Sequence, residues 1–321
     1  MGFDALLGND RLKQNLRESL RKGHISHFYL ISGPTGSGKH TLARLLAAAI
    51  LCREADRPCG HCGPCRKVLA DNHPDFITVD DPEKKTVPVD LIRQARGDMY
   101  VRPNESDYKI YLFPRAQDMG IPGQNALLKV LEEPPKYGVF LLLTDNPEKL
   151  LPTVRSRCTE LKMQALPETI LLPRLAAEFP QAEDARLRGA IARGGGFLGQ
   201  ARGLLTAGET LAPQTEALLT AFCQGDALGL TMVLTPMEKW KRDDLIPMLE
   251  SWLALMEEAL ACRGGGHAVT RQAQRLAAAR PANTLLRAIE ALQRALTCAQ
   301  SNVSPAAICG WLCWELREVD S

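Results

Sequence analysis

The stretch that decides the fold of this chain is Gly33-Pro34-Thr35-Gly36-Ser37-Gly38-Lys39-His40-Thr41. An apolar run at 28–31 precedes it, and a helical pattern rich in Ala and Leu follows at 42–47. A strand, a glycine-rich loop and a helix in that order are the context that a phosphate-binding P-loop requires. Glycine lets the backbone turn tightly enough for its N–H groups to surround a phosphate at the helix N-terminus. The residues predicted to bind nucleotide are Gly33, Gly36, Gly38, Lys39, His40 and Thr41.

One position departs from the P-loop pattern. The residue after the loop lysine is normally Ser or Thr, because its hydroxyl helps to hold Mg²⁺. Here that residue is His40. Thr41 lies about 100° further around the helix, so it is not a direct replacement. The loop is therefore predicted to have the shape for a nucleotide but few ligands for a metal. A glycine-rich turn without a ligand is the alternative.

The overall composition limits the classes of function. A chain of 321 residues has room for two or three domains, each with its own core. Lys and Arg total 39 against 37 Asp and Glu, so no overall field directs the protein to nucleic acid. We expect neither a signal peptide nor a membrane span, and we predict a cytoplasmic protein.

Four of the ten cysteines are grouped directly after the predicted P-loop helix, at Cys52, Cys59, Cys62 and Cys65. Close-spaced cysteines in a long intracellular chain are more often metal ligands than disulfide partners. Four thiolates suit a closed tetrahedral Zn²⁺ site, and four protein ligands leave no position for a reactive water. We predict a structural zinc knuckle at 52–65, in which Pro58 and Pro64 indicate that the intervening chain is not helical. Unliganded structural or redox thiols are the alternative.

The order of the predicted elements indicates the fold class. Apolar strands are predicted at 27–32, 75–79, 108–113 and 139–144, with helices between them. Strands of this kind form a parallel sheet covered on both faces. From about residue 166 helical periodicity alone is left, and a linker is predicted at 207–213. The predicted fold class is α/β followed by all-α. Its divisions are a P-loop domain at 1–165, a helical lid at 166–207 and a helical C-terminal domain at 208–321.

The third predicted strand lacks the acidic pair of an ATPase. In such enzymes one carboxylate holds Mg²⁺ and another orients the attacking water. This strand is followed by Pro114-Arg115, and the next acid, Asp118, lies four residues beyond the expected position. We therefore expect no useful hydrolysis at this site. Weak binding of ATP or ADP stays open, as does a divergent ATPase that uses Thr41 and Asp118 instead.

Four motifs together resemble those of the AAA+ subunits of bacterial clamp loaders. They are the P-loop, the cysteine knuckle, the run A-L-L-K-V-L-E-E-P-P at 126–135 and Ser156-Arg157-Cys158. The resemblance covers residues 1 to about 205 by motif and the remainder only by helical content. It implies an AAA+ fold and a ring with delta and gamma/tau subunits, assembled through C-terminal helical collars. It also implies a part in the DNA polymerase III holoenzyme, in placing the sliding clamp on primed DNA.

Within that family, three departures are typical of a non-hydrolysing stator subunit. The gamma/tau motor has acids where this chain has Pro114-Arg115, Thr where it has His40, and a sensor-2 arginine where it has Gly199. The Ser-Arg-Cys motif is kept. The resemblance implies that Arg157, positioned by Ser156 and Cys158, is an arginine finger for the neighbouring gamma/tau site.

Other interpretations stay open at this point. Arg157 would otherwise be a surface arginine held in an ion pair. Lys129 either contacts DNA phosphates or lies on an ordinary solvated helix face. The whole chain would otherwise be an active gamma/tau-like motor, or a zinc-containing AAA+ adaptor outside replication.

Overall fold

The N-terminal part of the chain forms a five-stranded sheet in the computed structural model, which describes residues 2–206, 212–265, 270–301 and 303–318. The strands are β1 Phe28–Ser32, β2 Phe76–Thr78, β3 Lys109–Phe113, β4 Gly138–Thr144 and β5 Thr159–Lys162. Their order is β2-β3-β4-β1-β5, and every neighbouring pair is parallel. The predicted parallel sheet is confirmed. The sequence did not predict β5, because only one of its four residues is buried.

Helices cover both faces of the sheet. They are α1 Asp10–Arg21, α2 Lys39–Leu51, α3 Gly63–Leu69, α4 Val89–Asp98, α5 Ile121–Glu132 and α6 Pro152–Arg155. Alternate residues of β1 enter different cores: Tyr29 and Ile31 join the core that α1, α2 and α3 share. Phe28 and Leu30 join the core shared with α4 and α5. A sheet buried on both faces has continuous apolar strands, which is the pattern that made β1, β3 and β4 predictable.

The remaining helices continue to the C-terminal region. They are α7 Glu168–Glu178, α8 Asp184–Arg193, α9 Leu198–Thr206, α10 Pro213–Gln224, α11 Ala227–Met237, α12 Arg242–Arg263, α13 Arg271–Ala279, α14 Ala282–Gln300 and α15 Pro305–Glu318. Trp252 lies fully buried among them and its indole N–H donates to Thr215 at 3.0 Å. An all-α region after the sheet domain is confirmed. Among the described helices, none is both long and apolar enough to cross a membrane.

The chain divides into two compact units. The first unit runs to Leu171 and includes Gly195–Gln200, and the second unit comprises Leu172–Gly194 and the chain from Ala201 onward. The predicted division into three domains, with boundaries after 165 and 207, stays a prediction. Residues 207–211, which make up most of the predicted linker at 207–213, lie outside the described residues.

The strand order brings three chain segments to one edge of the sheet. The carboxyl ends of parallel strands lie on the same side, and β4 lies between β1 and β3. The P-loop after β1, Pro114 after β3 and Asp145 after β4 therefore emerge at this edge. The N–H of Gly33 donates to the carbonyl of Thr144 at 3.1 Å, which joins the loop to β4. Ligand sites of open α/β sheets lie at such an edge.

Candidate functional site

The glycine-rich loop connects β1 to the N-terminus of α2, as the sequence predicts. Gly36 has a φ of 76° and Gly38 a φ of 95°, a region of backbone conformation that side chains disfavour. His40 and Thr41 are both exposed in the first turn of α2. The predicted order of strand, loop and helix is thus present, and the predicted residues lie in the loop and in the first turn of α2.

Lys39 binds its own loop. Its Nζ donates to the carbonyl of Pro34 at 2.9 Å and also to the carbonyl of Gly33. Lys39 is 8% exposed, and burial lowers the pKa of its amine. A phosphate that used this lysine would have to replace both carbonyls.

Gly199 packs directly on the P-loop, and both residues of this contact belong to the first unit. Its N–H donates to the carbonyl of Gly36 at 2.9 Å. A Cβ added to Gly199 would lie 2.5 Å from the Cα of Gly36, a distance that real Cβ atoms do not show. Gly199, the position for which the resemblance implies an arginine in motor subunits, therefore has no room for a side chain.

Arg115 occupies the place of the missing acids, and it is bound to carboxylate and carbonyl groups. Its Nη2 lies 2.7 Å from Oδ1 of Asp80, and its Nε donates to the same carboxylate at 3.1 and 3.2 Å. It also donates to the carbonyls of Asp81 and Lys84 at 2.9 and 3.0 Å. The hydrogen bonds to Asp80 raise the pKa of Arg115. Asp118, the substitute acid of the motor hypothesis, lies 3.8 Å from the same guanidinium.

The four cysteines of the knuckle converge. Their sulfur atoms all lie within 4.8 Å of one another. The sulfur of Cys52 is 3.8 Å from that of Cys62, and Cys59 is 3.9 Å from Cys65. Tetrahedral zinc with bonds of about 2.3 Å to sulfur places neighbouring sulfurs about 3.8 Å apart. The donor set therefore fits Zn²⁺ in geometry as well as in chemistry.

The local backbone of the knuckle differs from the prediction in one respect. Pro58 and Pro64 indicated an irregular segment, but α3 begins at Gly63 and includes Cys65. Proline is compatible with the first turn of a helix, where its missing N–H has no partner to lose. Burial raises the pKa of Cys59, but backbone N–H donors and neighbouring thiols outweigh it and bring the value to about 6. Burial raises the pKa of Cys52 and Cys65 in the same cluster, so a bound cation would have to stabilise their thiolates.

Arg157 lies at the surface just after α6. Its Nη1 donates to the carbonyl of Thr153 at 3.0 Å, and its Nη2 lies 3.3 Å from Oε1 of Glu132 at the end of α5. The side chain is 39% exposed.

The residues on either side of Arg157 bind the backbone of α6. Ser156 donates to the carbonyl of Thr153 at 3.3 Å, and Cys158 donates to that of Val154 at 3.2 Å. Burial raises the pKa of Cys158 to about 12, which is unsuitable for a nucleophile. Lys129 is exposed on α5.

The sequence analysis missed three contacts of the predicted residues: Arg115 with Asp80, Arg157 with Glu132, and Gly36 with Gly199. Asp80 had a usable signal, because it follows β2 and so belongs to the same sheet edge as Arg115. No local pattern joins Glu132 to Arg157 or Gly36 to Gly199.

Comparison with known proteins identifies the family. Residues 8–167 match the family model described as "DNA polymerase III, delta subunit". The tau subunit of DNA polymerase III from Bacillus subtilis (strain 168) is 32% identical over 191 residues, which are 58% of this chain and 34% of that protein. The tau subunit from Escherichia coli (strain K12) is 35% identical over 166 residues, 51% of this chain and 26% of that protein. The match thus spans about a third or less of these relatives.

A solved structure supports the fold. A DNA polymerase III gamma subunit-related protein from Thermotoga maritima aligns with 96% of this chain and 99% of its own, at a TM-score of 0.50 and 17% identity. Identity this low shows the fold alone. The family model matched over residues 8–167 and the similarity to the tau subunits confirm the resemblance that the motifs indicate: this chain belongs to the AAA+ clamp-loader family of DNA polymerase III.

Proposed function

We propose that this chain is a delta-prime-type stator of the clamp loader, which does not hydrolyse ATP itself and offers Arg157 to a neighbouring gamma/tau subunit. The observation that carries the proposal is the contrast between two arginines. Arg115 stands where hydrolysis requires acids and is bound to Asp80, whereas Arg157 lies at the surface. The chain lacks hydrolytic groups of its own but keeps a cation available to a partner.

At the chain's own site, three features argue against turnover. The residues directly after β3 are Pro114 and Arg115 rather than carboxylates that could organise Mg²⁺ and water, so phosphoryl transfer loses positioning and electrostatic stabilisation. Lys39 is bound to loop carbonyls, and Gly199 covers the loop without supplying a cation. In this proposal the loop binds ATP or ADP weakly or not at all.

At the neighbouring site, Arg157 supplies charge. As the terminal phosphoryl group transfers, negative charge develops on its oxygens, and an arginine from another subunit stabilises it. Such fingers contribute on the order of 10³–10⁵ in rate. The fixed contact of Arg157 with the carbonyl of Thr153 leaves other N–H donors of its planar guanidinium for phosphate oxygens.

The partners in this proposal are delta and gamma/tau subunits in a hetero-oligomeric ring, with the sliding clamp and primer-template DNA bound through the complex. The helices from 208 onward form the collar of that ring. The four knuckle cysteines hold structural zinc, and Lys129 contributes to a surface that faces DNA phosphates. The site of action is the cytoplasm, where bacterial replication takes place.

A gamma/tau-like motor is the second candidate, because the relatives named above are tau subunits. The contact between Arg115 and Asp80 argues against it, since this cation holds Asp80 and lies beside Asp118. ATP turnover by the purified chain distinguishes the two functions. The stator should show no turnover that depends on Lys39. Turnover that Lys39→Ala abolishes would overturn the stator proposal.

The test of the finger is ATP hydrolysis by a loader reconstituted from this chain with delta and gamma/tau subunits, clamp and primed DNA. Arg157→Ala should cause a large loss of rate while the ring still assembles. Arg155→Ala is the matched control, because Arg155 is a similarly exposed arginine held by Glu148 at 2.8 Å. An unchanged rate with Arg157→Ala would remove the finger assignment.

A further inference from the structure

The last residue of α5 contacts the proposed arginine finger. We propose that Glu132 is a positioning residue, which holds Arg157 in the orientation from which it engages the neighbouring nucleotide. This inference rests on the proposed function of Arg157. It assigns to Glu132 an effect on the rate of the neighbouring site rather than on this chain's own stability.

The geometry of the guanidinium carries the inference. Nη1 is fixed by the backbone carbonyl of Thr153 at 3.0 Å, and Nη2 lies 3.3 Å from the carboxylate of Glu132. The two partners come from different segments, so together they restrict both the position and the rotation of the planar group. Arginine loses much rotamer entropy when it is ordered. A side chain that is already restricted loses less of it on contact with a phosphate.

The location of Glu132 supports the same conclusion. A carboxylate is unfavourable at the C-terminus of a helix, where the backbone dipole already presents negative charge. Glu132 is the last residue of α5, and Glu133 follows it directly. Departures from local sequence preference are expected at functional sites. The guanidinium of Arg157 offsets the negative charge of the Glu132 carboxylate, and this attraction holds the guanidinium at the end of α5.

The contact is also suited to exchange. The side chains of Arg157 and Glu132 are 39% and 58% exposed. An exposed ion pair is weak, whereas an arginine forms strong bidentate hydrogen bonds with phosphate. A phosphate oxygen can therefore take over Nη2, while the carbonyl of Thr153 keeps Nη1 in place. Glu132 therefore orients Arg157 until the guanidinium contacts the phosphate, and Glu132 itself need not touch the nucleotide.

The experiment uses the reconstituted loader with Glu132→Ala, and Glu133→Ala is the matched control. Glu133 is an adjacent exposed acid for which the described residues provide no salt-bridge partner. Glu132→Ala should lower kcat about two- to five-fold, the range that an exposed ion pair supports. KM for ATP and ring assembly should not change, because a finger acts in the transition state. Glu133→Ala should leave kcat unchanged, and Glu132→Gln, which keeps the acceptor oxygen, should recover part of the loss.

A double-mutant cycle separates this inference from the proposed function. In the Arg157→Ala background, Glu132→Ala should have no further effect, because the residue it positions is gone. An equal loss in both backgrounds would overturn the positioning role. So would an unchanged or raised kcat with Glu132→Ala in a loader that Arg157→Ala still impairs. If Arg157→Ala itself has no effect, the proposed function fails first.

Discussion

Alanine at position 199 tests the close contact between the P-loop and the segment Gly195–Gln200. Gly199 is in the first turn of α9, where alanine would normally favour the helix by about 0.5–1 kcal/mol. At this position, however, the new Cβ would lie 2.5 Å from Cα and 2.7 Å from the carbonyl oxygen of Gly36. Both atoms belong to the backbone, so no flexible side chain can move aside.

The size of the expected effect follows from these distances. Overpacking by a single methyl group costs about 1–3 kcal/mol when the surroundings must shift. This cost exceeds the gain in helix propensity, so Gly199→Ala should lower the free energy of unfolding of the first unit. Gly203→Ala is the matched control on the same helix, because nothing among the described residues lies within 4 Å of its added Cβ. Gly203 belongs to the second unit, so that variant should leave the free energy of unfolding of the second unit unchanged or raise it by about 0.5–1 kcal/mol.

Urea unfolding provides the assay, with a separate signal for each unit because a chain of two units does not unfold as two states. All four tryptophans lie in the second unit, so their fluorescence reports on that unit. Hydrogen exchange of the β1 and β4 amides reports on the first. If Gly199→Ala leaves the first unit as stable as in the parent chain or stabilises it, Gly199 does not pack on Gly36 and the covered loop is refuted.

Two further predictions concern the metal and the acidic edge. The purified chain should contain about one zinc ion, and Cys62→Ser should lose it and lower the thermal midpoint, because metal binding contributes to folding. Cys298 lies outside the knuckle, so Cys298→Ser should keep the metal. Elemental analysis that finds no zinc in the parent chain would contradict the prediction. Arg115→Gln should lower the free energy of unfolding by about 1–3 kcal/mol, since it leaves the carboxylate of Asp80, 15% exposed, with a weaker partner. Arg93 forms an exposed pair with Asp90, so Arg93→Gln should change the free energy of unfolding by only about 0.2–1 kcal/mol. Equal losses in the two variants would contradict the role of Arg115.

The elements predicted correctly are those whose signal is local. β1, β3 and β4 are continuous apolar runs because both faces of the sheet are covered, and the loop of Gly36 and Gly38 has the short spacing of a P-loop. The convergence of the four cysteines was predictable because they lie within fourteen residues of one another along the chain. The sequence missed β5 because an edge strand with one buried residue has no apolar run to reveal it.

By itself, the sequence determined the family, the α/β then all-α class and the chemical type of each candidate group. Only the tertiary structure decided which partners those groups contact: Arg115 contacts Asp80, Gly199 contacts Gly36, and Arg157 contacts Glu132. The physical reason is the separation along the chain of the residues that interact. A motif is made by neighbours along the chain, whereas ion pairs and backbone packing depend on which segments the sheet order and the helices bring together.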